Sequence, residues 1–378
     1  MKIQSLRYFP YSLPFARPFT TAREVLTHRE GWLVEVRDGE GGWGLGEAAP
    51  LAGFGMETPA ETARVLEAWA TSLPGREVGL EGPFDVETPP AFGLAADFPA
   101  APAARHGLEL ALLDLAARRA GLPLARWLHR GAAGAVEVNA TVGADEPAES
   151  ARQAAALAGQ GFKTVKAKVE PLPGPEAARR VISRVTALRR ALGPEVRLRL
   201  DANESWVEET AAPLIDALAP LKIEYLEQPL PADDLNGMAR LAARSPIPIA
   251  ADEAVLSPAQ AQKIVAMGAA RVLVLKPMAL GGVIATLAVA RLAARHGLPA
   301  VVTTTLEGAY ARLGAAHAAA ALCGLLPREM ASCAHGLATG SLLAEDLLPD
   351  PPQPRGGSIT LPDAPGLGLA RPASLPPL

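Results

Sequence analysis

VRLRLDAN at 196–203, IEYLEQP at 223–229, IPIAADEA at 247–254 and RVLVLKP at 271–277 decide the fold. Each is a short apolar run that reaches a charge at its end: Asp201, Glu227, Asp252 and Lys276. Runs apolar on both faces are the pattern of parallel strands covered by helices on one side and a packed interior on the other. The charges stand 26, 25 and 24 residues apart, one strand–helix unit per step. VEVNATVG at 136–143 and TVKAKV at 164–169 come before this series, and PAVVTTTLEG at 299–308 follows it. Helix patterns lie between them; PEAARRVISRVTALRRALG at 175–193, for example, opens on Pro and closes on Gly. Seven such units predict an α/β chain built on a (β/α)7β TIM-like barrel over 131–340. A doubly wound open sheet is the rival, but the glycine-rich phosphate turn expected after its first strand is missing.

Upstream the rhythm differs. Residues 2–11, 14–21 and 30–48 read as strands, with DGEGG at 38–42 folding the last into a hairpin. Thr58-Pro59-Ala60-Glu61 is a capping box with Pro at the first helical position, opening a helix to about Leu73. After a Pro/Gly-rich connection, a second helix is expected from about Ala101 to Arg118. Strands followed by helices make 1–130 an α+β capping domain. The Pro/Gly-rich segment 341–378 is expected to pack back on that domain and complete it.

Composition narrows the function classes. The chain has 378 residues, 49% of them hydrophobic, and a formal net charge of −4. That is enough for a large core in two domains, and it leaves no basic footprint for nucleic acid or an anionic membrane. No apolar stretch runs long enough to span a bilayer, and MKIQSLRYFPYSLPF at 1–15 lacks the pattern of a signal peptide. Cys323 and Cys333 have no zinc-ligand spacing and read as buried free thiols of a reducing compartment. A cytoplasmic protein with a small-molecule substrate is the expectation, with self-association into a homo-oligomer left open.

In a parallel barrel the strand ends converge at one mouth, where barrel enzymes keep their chemistry. Asp201, Glu227 and Asp252 then stand side by side and repel unless a cation neutralises them. Hard oxygen donors with room for water and substrate suit Mg²⁺, with Mn²⁺ able to substitute. Asn203 and Glu253, each next to or near a ligand, are expected to support the set. A lone Asp at a strand end is usually a turn or helix-cap residue; three in register are not explained that way. Across the mouth, Lys166 and Lys168 share one face of their strand by alternation. Two inward lysines are costly without a task. A neighbouring ammonium and a divalent cation would lower a lysine pKa toward the range of a general base. Together these parts suggest abstraction of a proton α to a carboxylate.

KAK at 166–168, LDAN at 200–203, EQP at 227–229, ADE at 251–253 and LKP at 275–277 resemble, in order and spacing, the muconate-lactonising branch of the enolase superfamily. The resemblance covers nearly the whole chain, and it implies roles. Asp201, Glu227 and Asp252 would ligate Mg²⁺, Lys168 would be the acid/base, Lys166 would modulate it, and Lys276 would face it from the opposite side. Within this branch, 46–58, 275–282 and 303–314 resemble o-succinylbenzoate synthases. These lyases dehydrate a succinyl-hydroxycyclohexadiene carboxylate in menaquinone biosynthesis. By that likeness Lys276 stabilises the ring system, and the turn Thr303, Thr304, Thr305, Leu306, Glu307, Gly308 offers N–H groups to a substrate carboxylate. Arg199, two residues before Asp201, is expected to orient Lys168, and the loops at 50–57 and near 18–25 to cover the site. N-acylamino acid racemases share the lysines and ligands and are the alternative. Dipeptide epimerases carry an acidic D-x-D for the substrate amine, placed by this reading where TTTLEG stands. Sugar-acid dehydratases use a histidine base, whereas His296 and His317 lie in helix-like sequence. A Schiff-base aldolase would leave the carboxylates without a purpose, and a non-catalytic scaffold would leave the lysines without one as well.

Overall fold

The computed structural model describes residues 1–20, 25–79, 101–143, 145–171, 174–327, 330, 333–372 and 375. At the N-terminus β1 (Ile3–Thr20), β2 (Val25–Asp38) and β3 (Trp43–Ala48) form an antiparallel sheet in that order. β1 runs unbroken through Ser12 and Leu13, and β2 starts at Val25, five residues before the sequence pattern. The pairing Phe19↔Leu26 and Thr20↔Val25 carries this exposed end, where no alternation marks a strand. The capping box is formed in full at α1 (Pro59–Ser72): Glu61 N donates to Thr58 Oγ1 (3.3 Å) and Thr58 N to Glu61 Oε2 (2.7 Å). α2 (Pro102–Arg119) lies directly on β3 because glycines line the contact. A Cβ on Gly46 would sit 2.0 Å from Gly107 O, and one on Gly44 2.1 Å from Ala111 O.

The second region is a parallel sheet of β5 (Ala140–Val142), β6 (Thr164–Lys168), β7 (Arg197–Asp201), β8 (Ile223–Glu227), β9 (Ile249–Ala251), β10 (Val272–Leu275) and β11 (Ala300–Val302), each hydrogen-bonded to the next. Helices connect the strands, among them Pro175–Leu192, which ends at Gly193 in the left-handed region (φ 68°). The stretch 136–143 is not one strand. β4 (Ala135–Glu137) pairs antiparallel with β12 (Ser358–Thr360), and only β5 joins the barrel. The split occurs where Val138 N is drawn to Gly357 O (2.9 Å) and Asn139 N to His335 O (2.9 Å). Residues 335–336 close the circle: His335 bridges Val138, and Gly336 bridges Thr303 beside β11. The fold is an α/β barrel with an antiparallel N-terminal domain.

One continuous core runs through both regions, from Leu66, Trp69 and Leu108 to Leu200, Leu226, Leu275 and Leu313. The C-terminal stretch fastens onto the N-terminal elements: Ala344 N donates to Pro14 O (2.8 Å), Leu367 N to Asp114 Oδ1 (2.6 Å), and Arg371 pairs with Glu35 (2.6 Å). Cys323 and Cys333 are free thiols but only half-buried, a correction to the reading that both are buried. Among the described residues no helix is long and apolar enough to cross a membrane.

Candidate active site

Lys168, Asp201 and Glu227 are the last residues of β6, β7 and β8, and they stand side by side in the ladder. Asp252 and Lys276 follow β9 and β10 by one residue. The carboxylate strands β7, β8 and β9 therefore lie between the strand that ends in Lys168 and the one that leads into Lys276. The two lysines face each other across a row of acids.

The acids are buried, with Asp201 2%, Glu227 1% and Asp252 5% exposed. Lys166 Nζ lies 2.8 Å from Asp201 Oδ2 and 2.6 Å from Glu227 Oε1. Lys276 Nζ lies 2.6 Å from both oxygens of Asp252; its hydrogen bond goes to Oδ2, and Oδ1 has the charge contact without an aligned donor. Burial pushes the Glu227 carboxyl well above its usual range, with repulsion from Asp201 and Asp252 adding to Lys166's incomplete relief. Burial and Asp252 raise Glu253 to about 8. Burial would also raise Asp201, but the Lys166 ammonium outweighs it and holds that carboxyl low.

The two lysines of β6 diverge. Burial lowers Lys168, and Lys166 adds to this against the pull of Asp201. Burial opposes the Lys166 ammonium too, yet its ion pairs with Asp201 and Glu227 carry it well above its ordinary value. Of the two, Lys168 is shifted toward the neutral amine and Lys166 toward the ammonium.

Asn203 N donates to Asp201 Oδ1 (3.0 Å), and its side-chain amide donates to Glu253 Oε1 (3.1 Å). Gln228, which sequence reasoning missed, links neighbouring strand ends. Its Oε1 accepts from Asp252 N (2.9 Å) and Ala254 N (3.4 Å), and its Nε2 donates to Leu230 O (2.9 Å). Asn203 (φ 43°), Glu204 (62°) and Gln228 (36°) all hold left-handed backbone just past the ligand-like acids. Such conformations cost energy in non-glycine residues and cluster at functional sites.

The N-terminal domain reaches over the mouth with two rings. Phe19 lies 5.0 Å from Lys168 Nζ, and Phe54 lies 4.3 Å from Lys276 Nζ. Neither was singled out from sequence, although both fall in segments expected to cover the site; residues 21–24 of the first segment lie outside those described. Arg29 ties these parts together. Its buried guanidinium donates to Ala49 O, to Pro50 O (2.6 Å) and to Thr305 O (3.3 Å).

In the turn at 303–308, several backbone donors are already engaged: Thr303 N with Leu275 O, Thr305 N with Glu307 Oε2 (2.5 Å) and Gly308 N with Glu47 Oε1 (2.6 Å). Among the described residues the amides of Thr304, Leu306 and Glu307 are the ones left to meet a ligand. Thr304 Oγ1 bonds Thr339 Oγ1 (3.0 Å), and Leu306 adopts φ 66°. The Glu307 carboxylate also takes the Thr305 hydroxyl (2.7 Å). The end of the closing segment, 336–339, reads GLAT and has no acid.

Arg199 does not reach Lys168. It is fully buried in the barrel interior, where it pairs with Glu224 (2.6 Å) and donates to Asn139 Oδ1 (3.1 Å) and Ala334 O (2.7 Å). Alternation gave its face correctly but not its depth, one layer below the mouth. His317 is structural: its Nδ1 accepts from Ala125 N (3.1 Å), and burial lowers it to about 4.

The donor set suits a hard divalent cation. Four acids crowd the mouth, and Glu253 Oε2 is buried without a hydrogen-bond partner. As they stand, no three acids among the described residues are close enough to share one ion; the ammonium groups of Lys166 and Lys276 hold them.

Residues 149–371 match the family model described as enolase C-terminal domain-like, and residues 3–115 match that of the MenC N-terminal domain. An o-succinylbenzoate synthase of Thermobifida fusca is 34% identical over 91% of this chain and 85% of its own length. Muconate cycloisomerase 1 of Pseudomonas putida is 31% identical over 95% and 93%. The solved dipeptide epimerase of Enterococcus faecalis, complexed with Mg and the dipeptide L-Leu-L-Tyr, superposes with a TM-score of 0.85 at 28% identity over 98% of this chain and all (100%) of that one. The barrel and the antiparallel N-terminal domain agree with these matches: the chain belongs to the enolase superfamily.

Proposed function

We propose that the protein is an o-succinylbenzoate synthase, a lyase that removes water from a succinyl-hydroxycyclohexadiene carboxylate in menaquinone biosynthesis. Superfamily members use Mg²⁺, and here Asp201, Glu227 and Asp252 would hold it. When bound, the ion acts as a Lewis acid on the substrate carboxylate and offsets the charge that gathers there. Lys168, the mouth lysine whose burial is not outweighed by its acid partners, takes the α-proton as the neutral amine. The electron pair moves toward the carboxylate. As the neighbouring C–O bond breaks, Lys168 returns its proton to the departing hydroxide on the same face, and water leaves as the ring becomes aromatic. Lys276 stays cationic over the opposite face, where its charge steadies the ring's developing negative charge. Phe19 and Phe54 exclude water and give the cyclohexadiene ring an apolar surface to pack on.

The observation that carries this reading over its relatives is that neither the 303–308 turn nor the 336–339 segment offers a free acid to a substrate amine. In the turn at 303–308 and the segment at 336–339, Glu307 is the sole acid, and Thr305 holds its carboxylate. A second reading, N-succinylamino acid racemisation, is favoured by Lys276, which stands where a second base would. The test is a panel with equal enzyme: the cyclohexadiene substrate, L-Ala-L-Glu and other dipeptides, and cis,cis-muconate. Dehydration alone should be fast. Dipeptide epimerisation or lactonisation at the higher rate would replace this assignment with one of the relatives' activities.

A further inference from the structure

Lys168 ends β6 where that strand has lost a neighbour. Along β6 the residues alternate in the side to which they direct their peptide groups: Val169 N donates to Asp201 O (2.7 Å), toward β7. The Lys168 carbonyl therefore faces the β5 side. β5 ends at Val142, opposite Ala167, so no residue of β5 stands beside Lys168. A buried arginine fills that place. Arg184, on the helix Pro175–Leu192, donates from Nη1 to Lys168 O (2.5 Å) and from Nε to Ser150 Oγ (2.9 Å) on the helix Pro147–Gly159.

This is an expensive arrangement. Arg184 is 5% exposed and Ser150 0%. Asp145, 3.8 Å away with a side chain 94% exposed, and Glu170 lend the guanidinium favourable charge, but burial outweighs both. Burying a cation costs stability unless its contacts have a use. Helix-to-helix packing alone would be served as well by an apolar side chain.

We propose that Arg184 is the positioning residue for Lys168. By fixing the last peptide plane of β6, it fixes the direction in which the Lys168 side chain leaves the backbone, and so the place of its Nζ beneath the substrate. The proposal rests on Lys168 being the acid/base of the reading above. It takes over the task that sequence parity had given to Arg199. Lys276 has separate supports, the following turn Pro277–Leu280 and Asp252, and does not touch Arg184.

That asymmetry supplies the test. In D2O each N-succinyl-phenylalanine enantiomer offers its α-hydrogen to one lysine, and Lys168→Ala identifies which exchange belongs to Lys168 by abolishing it. Arg184→Met should lower dehydration kcat and Lys168-side exchange together by about tenfold or more, the scale of a sub-ångström to ångström displacement of a catalytic group. KM and Lys276-side exchange should stay within about twofold. Arg184→Lys should recover part of the loss, and Ser150→Ala, which frees Nε, should give a smaller loss of the same one-sided kind. Equal loss on both faces, or no loss, would overturn the proposal; should Arg184→Met not fold, Arg184→Lys and Ser150→Ala separate one-sided from two-sided loss in the same way. A wild-type enzyme with neither dehydration nor exchange would instead remove the underlying reading.

Discussion

At the seam between the N-terminal sheet and the barrel, buried acids are held by backbone. Glu47 accepts from Gly308 N (2.6 Å), Ala311 N (2.9 Å) and the Tyr11 hydroxyl (2.5 Å). Glu109 accepts from Ile284 N (3.0 Å), and Asp114 from Leu45 N (2.9 Å) and Leu367 N (2.6 Å). Glu47 and Glu109 thus sit at the N-termini of two successive barrel helices, where N–H groups and the helix dipole favour an anion. At the mouth the acids are as deeply buried, but much of their compensation comes from side-chain ammonium groups. Lysines pair with Asp201, Glu227 and Asp252, while one oxygen of Asp252 and one of Glu253 have no hydrogen-bond partner. Charges fixed by backbone donors build a joint. Charges answered by exchangeable cations are available for binding and proton transfer.

The largest expected effect lies at the mouth. Lys168→Ala should leave thermal stability and metal binding near wild type while costing at least ~10²–10⁴ in kcat, the range for loss of a general acid–base. A rate within threefold of wild type would make this lysine a seam-like structural charge. Next comes the metal. Asp252→Asn should weaken Mg²⁺ binding by roughly 10–100-fold in a calorimetric titration, and excess chelator should abolish turnover. Full activity in metal-free protein would erase the distinction between the two regions.

A subtler change is expected from Lys166→Met. Lys166 helps to lower Lys168, so removing its charge should raise the base's pKa and move the rise of kcat/KM to higher pH. An unmoved pH–rate profile would confine Lys166 to holding Asp201 and Glu227. The smallest effect on turnover belongs to the seam, where the change is in stability. Burial lifts the Glu47 carboxyl from its ordinary 4.5 to about 7. The folded state therefore binds the extra proton between these values, so this group's contribution is present below pH 4.5 and lost as pH rises to 7. Denaturant titrations should show wild type losing on the order of 2–3 kcal/mol relative to Glu47→Gln across that window. Parallel curves would mean that the three donors keep Glu47 ionised throughout.

What could be read without coordinates follows the same division. Strand-end charges one unit apart, the alternation of Lys166 and Lys168, and the Thr58–Glu61 box are local patterns, and local patterns survive in sequence. Glu47, Arg29, Phe19, Phe54 and Arg184 act across docking contacts, and nothing beside them in the chain announces their partners. Gln228 does carry a signal, its place directly after Glu227, where a polar side chain can reach the next strand end. Arg199 shows the limit of parity, which fixes a face but not a layer. The 136–143 stretch shows the limit of propensity: β12, more than 200 residues away, takes its first residues, Val136 and Glu137.

In the proposed mechanism one lysine on one face does the chemistry, helped by an opposite ammonium that acts as a charge. Measuring kcat/KM for dehydration of the cyclohexadiene substrate beside racemisation of N-succinyl amino acids tests it most directly. Syn elimination uses Lys168 alone and gains an aromatic product, whereas racemisation needs Lys276 as a second base. Dehydration should be faster by at least ~10²-fold, about 2.7 kcal/mol of preferential transition-state stabilisation. Racemisation equal to or faster than dehydration would contradict the account.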